Sequence, residues 1–166
     1  DGNRAEENPD CIPQHRDFQV SLELAMEYLS RTGRTFRAER VPLCFMRRFA
    51  HCSTETRKIV KEEERCIKFL DQKGFVHQLE FLHGKGSACD ACRWDSICAG
   101  MYSMAKTFDE RELSPVFEDP SSVIRAVLGR EPTPDLVERI EQRAGRRSRT
   151  EQPDDAMRAE KRRTVL

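Results

Sequence analysis

Hydrophobic residues near the start of the chain recur with helical spacing. The pattern predicts a helix that begins at an N-cap residue, Asp17, and ends near Gly33. One face carries Phe18, Leu22, Ala25, Met26 and Leu29. Three further apolar residues, Val20, Leu24 and Tyr28, widen that face, so we expect the helix to be well buried.

Later segments switch between alternating and helical spacing. Alternation over 35–41 predicts a short strand that Pro42 ends, and alternation over 75–81 predicts a second strand. Between them the pattern predicts a helix over 54–73 that stops at Gly74. Further helices are expected at 99–108, 121–128 and 134–144. This succession of helices and strands favours an α/β or α+β fold.

The composition is polar for a self-sufficient globular domain. Of the 166 residues, 35% are charged and 37% hydrophobic, so little apolar area offsets the entropy of ordering the chain. Either part of the chain is disordered, or the chain is a piece of something larger. Large apolar residues become rare after Gly129, which predicts a charged, largely disordered tail over 129–166.

Charge and hydropathy argue against two classes of partner. Basic and acidic residues number 29 each, a balance that gives no electrostatic signature of nucleic-acid binding. The sequence contains neither an apolar run long enough to span a membrane nor a recognisable signal peptide. We therefore expect a protein of the reducing cytoplasm, where cysteines serve as metal ligands or reactive thiols more often than as disulfides.

The cysteines carry the strongest chemical signal. There are seven of them, and an odd number argues against a fully paired disulfide framework. Cys89, Cys92 and Cys98 follow the spacing C-x2-C-x5-C, and three thiolates so close together need a cation to hold them. A closed site needs a fourth ligand. We predict Cys44, which follows Pro42 at the predicted strand end, with Cys52 as the alternative.

The other candidate side chains carry less chemistry. Cys66 is expected in a helix as a small core residue, and Cys11 in a loop. His51 and His77 are expected in ordinary structural positions. The metal itself stays open between two choices: four thiolates suit an iron–sulfur cluster or zinc, but a zinc ribbon normally shows two C-x2-C pairs and this chain has one.

Three segments resemble the C-terminal part of radical S-adenosylmethionine enzymes with a SPASM- or Twitch-like auxiliary-cluster extension. They are the loop Gly2-Asn3-Arg4-Ala5-Glu6-Glu7-Asn8, the element Val41-Pro42-Leu43-Cys44-Phe45-Met46, and Lys85 through Tyr102 with the C-x2-C-x5-C-x-G pattern. A fourth, Glu112 through Val116, is similar to the segment that ends many of these proteins. The resemblance covers about residues 1–118.

The resemblance implies a domain plan and a cofactor. Residues 1–43 would be the last elements of a partial TIM-type barrel, residues 44–128 the cluster-binding extension, and 129–166 the tail. One auxiliary [4Fe–4S] cluster would be bound by Cys44, Cys89, Cys92 and Cys98. Substrates in this family are often peptides, and a small molecule is the other class expected here.

The sequence departs from the family in two places. Its catalytic C-x3-C-x2-C motif, which holds the cluster that cleaves S-adenosylmethionine, does not occur here. We therefore expect a fragment, with S-adenosylmethionine and a second [4Fe–4S] cluster belonging to a missing N-terminal part. Tyr102 stands where the full SPASM pattern has a further cysteine, which favours a single auxiliary cluster. A zinc-stabilised binding module that uses the same cysteines is the alternative.

Overall fold

The computed structural model describes residues 7–8, 11–63, 65–68, 75–78, 83–102 and 109–147. Their α-helices are α1 (His15–Arg31), α2 (Thr54–Lys61), α3 (Ser121–Leu128) and α4 (Pro134–Arg147). The strands β1 (Arg65–Lys68) and β2 (Phe75–Gln78) form an antiparallel pair. Short 3₁₀ turns occupy much of the intervening chain: Leu43–Phe45, Arg47–Cys52, Ser87–Cys89, Asp95–Ile97 and Glu110–Glu112.

The first helix begins slightly earlier than predicted. Its N-cap is Gln14, whose backbone N–H donates to the Asp17 carboxylate at 3.0 Å. Asp17 therefore lies in the first turn, where a carboxylate also interacts favourably with the helix dipole. Gly33 follows the C-cap residue Thr32 with φ of +68°, the left-handed conformation that commonly ends a helix.

Burial of α1 is less complete than predicted. Met26 is buried in the core, whereas Ala25 is exposed and Phe18, Leu22 and Leu29 are half-buried. The three residues expected to widen the buried face instead form an exposed apolar stripe, with 64–68% of Val20, Leu24 and Tyr28 accessible. The expectation of a well-buried helix was wrong, because the described structure packs against one side of α1 only.

The predicted strand over 35–41 is not formed. Ala38 makes only an isolated parallel bridge with Ser53, through Ala38 N–H to Cys52 C=O (3.1 Å) and Thr54 N–H to Ala38 C=O (2.9 Å). Arg40 then turns the backbone with φ of +61°, and its backbone N–H donates to the Glu55 carboxylate. The alternating pattern alone does not make a strand here, because no strand among the described residues pairs with this segment. The expected end of a (β/α) barrel is therefore not present among the described residues.

The predicted helix over 54–73 was also too long. Its N-terminal part is α2, which Ser53 caps by accepting the Thr56 N–H at 3.2 Å. Glu62 adopts a left-handed conformation at the C-cap, and β1 begins three residues later. Cys66 consequently lies in a strand and not in a helix. The first part of the strand predicted over 75–81 is present as β2, and residues 79–81 lie outside the described residues.

The described part of the chain is thus mostly helical, with one short antiparallel pair of strands. The helix expected at 99–108 does not start at Ala99, because Met101 pairs with Gly84 in an isolated antiparallel bridge. Residues 103–108 lie outside the described residues. The helices predicted over 121–128 and 134–144 are present as α3 and α4.

The core is built from α2, α3, α4 and the turns between them. Leu136 and Ile140 of α4 are buried, and Arg139 of that helix pairs with Glu62 at 3.1 Å. Residues 134–140 thus pack with the core although they follow Gly129, where the composition changes; residues 148–166 lie outside the described residues. The main cluster includes Leu43, Met46, Phe49, Val60, Trp94, Ile97, Val116, Ile124, Val127 and Ile140. Along the described chain, every helix is too short or too polar to cross a bilayer.

Candidate metal centre

Four cysteines from two distant parts of the chain line one pocket. Cys44 lies in the 3₁₀ turn at 43–45, Cys89 ends the turn at 87–89, and Cys92 and Cys98 flank the turn at 95–97. All four are half-buried. The pocket and its open mouth span about 330 Å³, and its wall is completed by Pro42, Leu43, Lys85, Trp94, Asp95, Gly100, Leu113, Ser114 and Val116.

Backbone amides point at the sulfur atoms. Gly100 N–H donates to Cys98 Sγ at 3.4 Å, and Val116 N–H donates to Cys92 Sγ at 3.3 Å. Backbone hydrogen bonds from Ser114 and Gly86 reach the thiols of Cys44 and Cys89 and favour their ionised forms. Donors of this kind stabilise thiolates and the sulfur ligands of metal centres.

These donors were not predicted from the sequence. Residues 114–116 serve two different cysteines, and the segment is held by Arg93 N–H, which donates to the Val116 carbonyl at 2.8 Å. A backbone amide leaves no side-chain signature in a sequence. Only the position of this segment beside the pocket reveals its role.

Burial opposes ionisation of two of the cysteines. Desolvation raises the pKa of Cys44 to about 11, and the neighbouring thiols add to the effect. Desolvation also raises the pKa of Cys89 above its usual range. These side chains are therefore thiols at neutral pH unless a cation replaces their protons, so binding a metal here releases protons.

Lys85 lies against the same pocket and was given no role by the sequence analysis. Its ammonium donates to the Asp95 carboxylate at 2.7 Å, to the Cys98 carbonyl at 2.8 Å and to the Asp95 carbonyl at 3.3 Å. Desolvation lowers the pKa of Lys85, but the combined attraction of Cys98 and Asp95 outweighs it, so the pKa is raised. The lysine is therefore a fixed positive charge at the wall of the pocket.

The backbone segments that carry Lys85 and Cys98 approach each other very closely at glycine residues. Gly84 and Met101 exchange backbone hydrogen bonds of 2.8 and 3.0 Å. Between Cys98 and Met101, Gly100 has φ of +96°, and a Cβ there would lie 2.4 Å from the Gly84 carbonyl oxygen. At Gly86 a Cβ would lie 2.9 Å from Glu110 Cβ. These positions need glycine because other backbone or side-chain atoms fill the space.

The remaining cysteines lie elsewhere. Cys52, the alternative fourth ligand, is 7% exposed in the main core and does not line the pocket. Burial raises the pKa of its thiol. Cys11 is exposed. Cys66 belongs to β1, whose side chains lie outside the described residues. The structure thus brings Cys44, and not Cys52, together with the C-x2-C-x5-C cysteines.

The aromatic and histidine side chains near the site take different positions. Trp94 is 4% exposed and packs in the core beside the pocket. Tyr102 is partly exposed, with the Arg40 guanidinium 4.3 Å from its ring centroid and the His83 ring edge-on at 5.2 Å. His51 is half-buried next to Cys52, where desolvation lowers its pKa. His77 lies in β2, and its side chain is outside the described residues.

Two observations bear on whether the pocket fits a metal centre. Across the described residues, no group of three or more Cys, His, Asp or Glu side chains has the spacing of a metal-binding set. The chemistry of the lining nevertheless suits a sulfur-ligated centre, because four cysteines share the pocket and backbone N–H groups donate to the sulfurs of Cys92 and Cys98. The buried Trp94 Nε1 has no hydrogen-bond partner among the described residues.

Comparison with known proteins adds no relative. No protein-family model, curated protein or solved structure matches the chain.

Proposed function

We propose that the chain binds one [4Fe–4S] cluster through Cys44, Cys89, Cys92 and Cys98. The observation that supports this most directly is their convergence on one pocket, where backbone N–H groups donate to the sulfurs of Cys92 and Cys98 at 3.3 and 3.4 Å. Cysteine thiolates are the usual ligands of such clusters, and hydrogen bonds to sulfur tune them. The cluster would supply an electron-transfer or structural centre, while the protein excludes water and orients the thiolates.

Zinc is the alternative occupant of the same four-cysteine pocket, in a zinc-stabilised binding module. Four thiolates hold zinc in closed structural sites, so the ligand set alone does not separate the two metals. The cysteine spacing favours the cluster, because a zinc ribbon normally shows two C-x2-C pairs and this chain has one, followed by a third cysteine after five residues.

The larger proposal is that this site is the auxiliary centre of a radical S-adenosylmethionine enzyme. The sequence contains no C-x3-C-x2-C motif, so we assign cluster binding, and not cleavage of S-adenosylmethionine, to the residues present. The exposed stripe of Val20, Leu24 and Tyr28 on α1 supports contact with a further part of such an enzyme, including its partial barrel. The substrate would be a peptide or a small molecule.

Anaerobic reconstitution with iron and sulfide tests the cluster directly. We expect a brown protein with broad visible absorption, and iron and acid-labile sulfide in equal amounts. A protein that stays colourless and instead takes up one zinc per chain without sulfide would overturn the cluster and establish the zinc alternative.

Single alanine variants test the ligand set. Substitution of Cys44, Cys89, Cys92 or Cys98 should lower the iron and sulfide content sharply. The matched controls are Cys52→Ala and Cys11→Ala, which remove thiols outside the pocket and should leave the content unchanged. Loss of the cluster in Cys52→Ala, with full content in Cys44→Ala, would contradict the assignment of the fourth ligand.

A further inference from the structure

The Lys85–Asp95 ion pair is the only pair of opposite charges on the described wall of the cysteine pocket. Both side chains are largely enclosed, with 24% and 29% of their surfaces accessible. The Lys85 ammonium has three oxygen contacts, so its three hydrogens are used within the protein. Lys85 is therefore a fixed charge, and its ammonium has no hydrogen left to donate to an external ligand.

The position of this charge is set by the backbone on both sides. His83 N–H donates to the Ala99 carbonyl at 2.8 Å, and the Gly84–Met101 bridge follows. These bonds place Lys85 opposite the residues around Cys98, whose carbonyl the ammonium contacts at 2.8 Å. The lysine thus joins the segment that precedes Cys89 to the segment that carries Cys98.

The charge has a consequence for any centre held by four thiolates. Such a centre is net negative, and a cation in the wall of its pocket stabilises its more negative state. An anion at the same wall has the opposite effect. Groups that contact the ligands in this way commonly alter metal affinity and potential.

We propose that Lys85 is a positioning and charge-compensating residue of the cysteine pocket, with Asp95 as its counter-charge. The proposal rests on the proposed metal-binding function. Lys85 holds the Cys98 backbone in place and stabilises the reduced state of the bound centre, while Asp95 fixes the ammonium and moderates its field.

Opposite substitutions at the two residues test the proposal. In the reconstituted full chain, redox titration followed by electron paramagnetic resonance should give a lower midpoint potential for Lys85→Met and a higher one for Asp95→Asn. The double variant should lie between the two. Lys85→Arg keeps the charge and should remain near the parent protein. A purely structural role would move both single variants in the same direction, or neither, and either result would overturn the proposal.

The outcomes also separate this proposal from the cluster assignment. If the chain takes up zinc and no sulfide, the cluster is excluded. The effect of the Lys85 charge is then tested by measuring the zinc affinity of each variant against a competing chelator. Lys85→Met should then weaken binding by about 10-fold or more, and Asp95→Asn should strengthen it, with Lys85→Arg unchanged. Equal zinc affinities in all three variants would overturn the role of Lys85. Unfolding midpoints of the metal-free variants show whether each one folds. If Lys85→Met does not fold, the shift measured for Asp95→Asn tests the proposal.

Discussion

Gly100 occupies a position that no other residue type can fill without movement of the backbone. Its φ of +96° is unfavourable for residues with a Cβ, and a Cβ there would lie 2.4 Å from the Gly84 carbonyl oxygen. Backbone strain alone typically costs about 1–3 kcal/mol. We expect Gly100→Ala to lower the free energy of unfolding by more than this, because the new Cβ also collides with the Gly84 carbonyl. Urea unfolding of the metal-free protein measures this loss.

Gly129 is the matched control for backbone strain. It also has a positive φ, +70°, but a Cβ there would meet nothing within 4 Å. Gly129→Ala should therefore cost about 1–2 kcal/mol, from the left-handed conformation alone. Equal losses in Gly100→Ala and Gly129→Ala would show that the close approach of Gly84 and Gly100 is not a constraint.

Thr56 connects α2 to the segment just before Cys98. Its side chain is fully buried, and its hydroxyl donates to the Ile97 carbonyl at 2.9 Å. Thr56→Val keeps the shape but leaves that buried carbonyl without its donor, so we expect a loss of about 1–3 kcal/mol in the free energy of unfolding.

Thr54 provides the comparison for Thr56. It lies in the same helix, is half-buried, and its hydroxyl makes no hydrogen bond to the described residues. Thr54→Val should change the free energy of unfolding by less than about 0.5 kcal/mol. The same chemical change should thus be costly only at position 56. A similar small effect at both positions would argue against the bond to Ile97.

At the scale of elements, the sequence predicted best those helices whose signals are local. The apolar spacing of α3 and α4, bounded by Pro120, Gly129 and Pro134, contains all that is needed to locate them. The strand expected at 35–41 failed because a strand exists only with a partner, which alternation does not provide. The helix expected at 54–73 failed at Glu62, a residue type with no special tendency to adopt its left-handed conformation.

The site follows the same rule. Spacing within the sequence was enough to group Cys89, Cys92 and Cys98. Cys44 was predicted as the fourth ligand because it follows Pro42 and because its segment resembles a family element. The amide donors of Ser114 and Val116 could not be foreseen, because any non-proline residue offers the same N–H group. The Lys85–Asp95 pair is separated by ten residues of loop and short 3₁₀ turn, so no periodic pattern indicated it.

The packing of α4 gives a prediction at the scale of an element. Ile140 is 1% exposed in the main core, so Ile140→Ala should lower the free energy of unfolding by about 2–4 kcal/mol. Glu141→Ala, on the exposed side of the same helix, should change it by less than about 0.5 kcal/mol. If both substitutions were neutral in urea unfolding, α4 would not contribute to the folded core.

For the whole molecule, His15 links the start of α1 to the segment that borders the cysteine pocket. Its ring is 3% exposed and stacks on Phe45 at 5.0 Å, and its backbone N–H donates to the Glu112 carboxylate at 3.0 Å. Arg16 also approaches Glu112, at 3.6 Å. Desolvation lowers the pKa of His15, and the opposing attraction of Glu112 offsets only part of this effect. Burial therefore makes the neutral imidazole the form that the fold favours.

A lowered histidine pKa makes stability depend on pH with a definite sign. The unfolded chain binds a proton near pH 6.5 and the folded chain only at lower pH, so stability is complete above about pH 6.5 and is lost as the pH falls toward the folded pKa. We expect the urea midpoint of the metal-free protein to be lower at pH 5.5 than at pH 7.5. Because the pKa of His51 is lowered in the same direction, His15→Gln should reduce this difference, and His15→Gln with His51→Gln should reduce it further. A pH dependence that is unchanged in the double variant would show that carboxyl groups, and not these two imidazoles, govern the acid sensitivity of the fold.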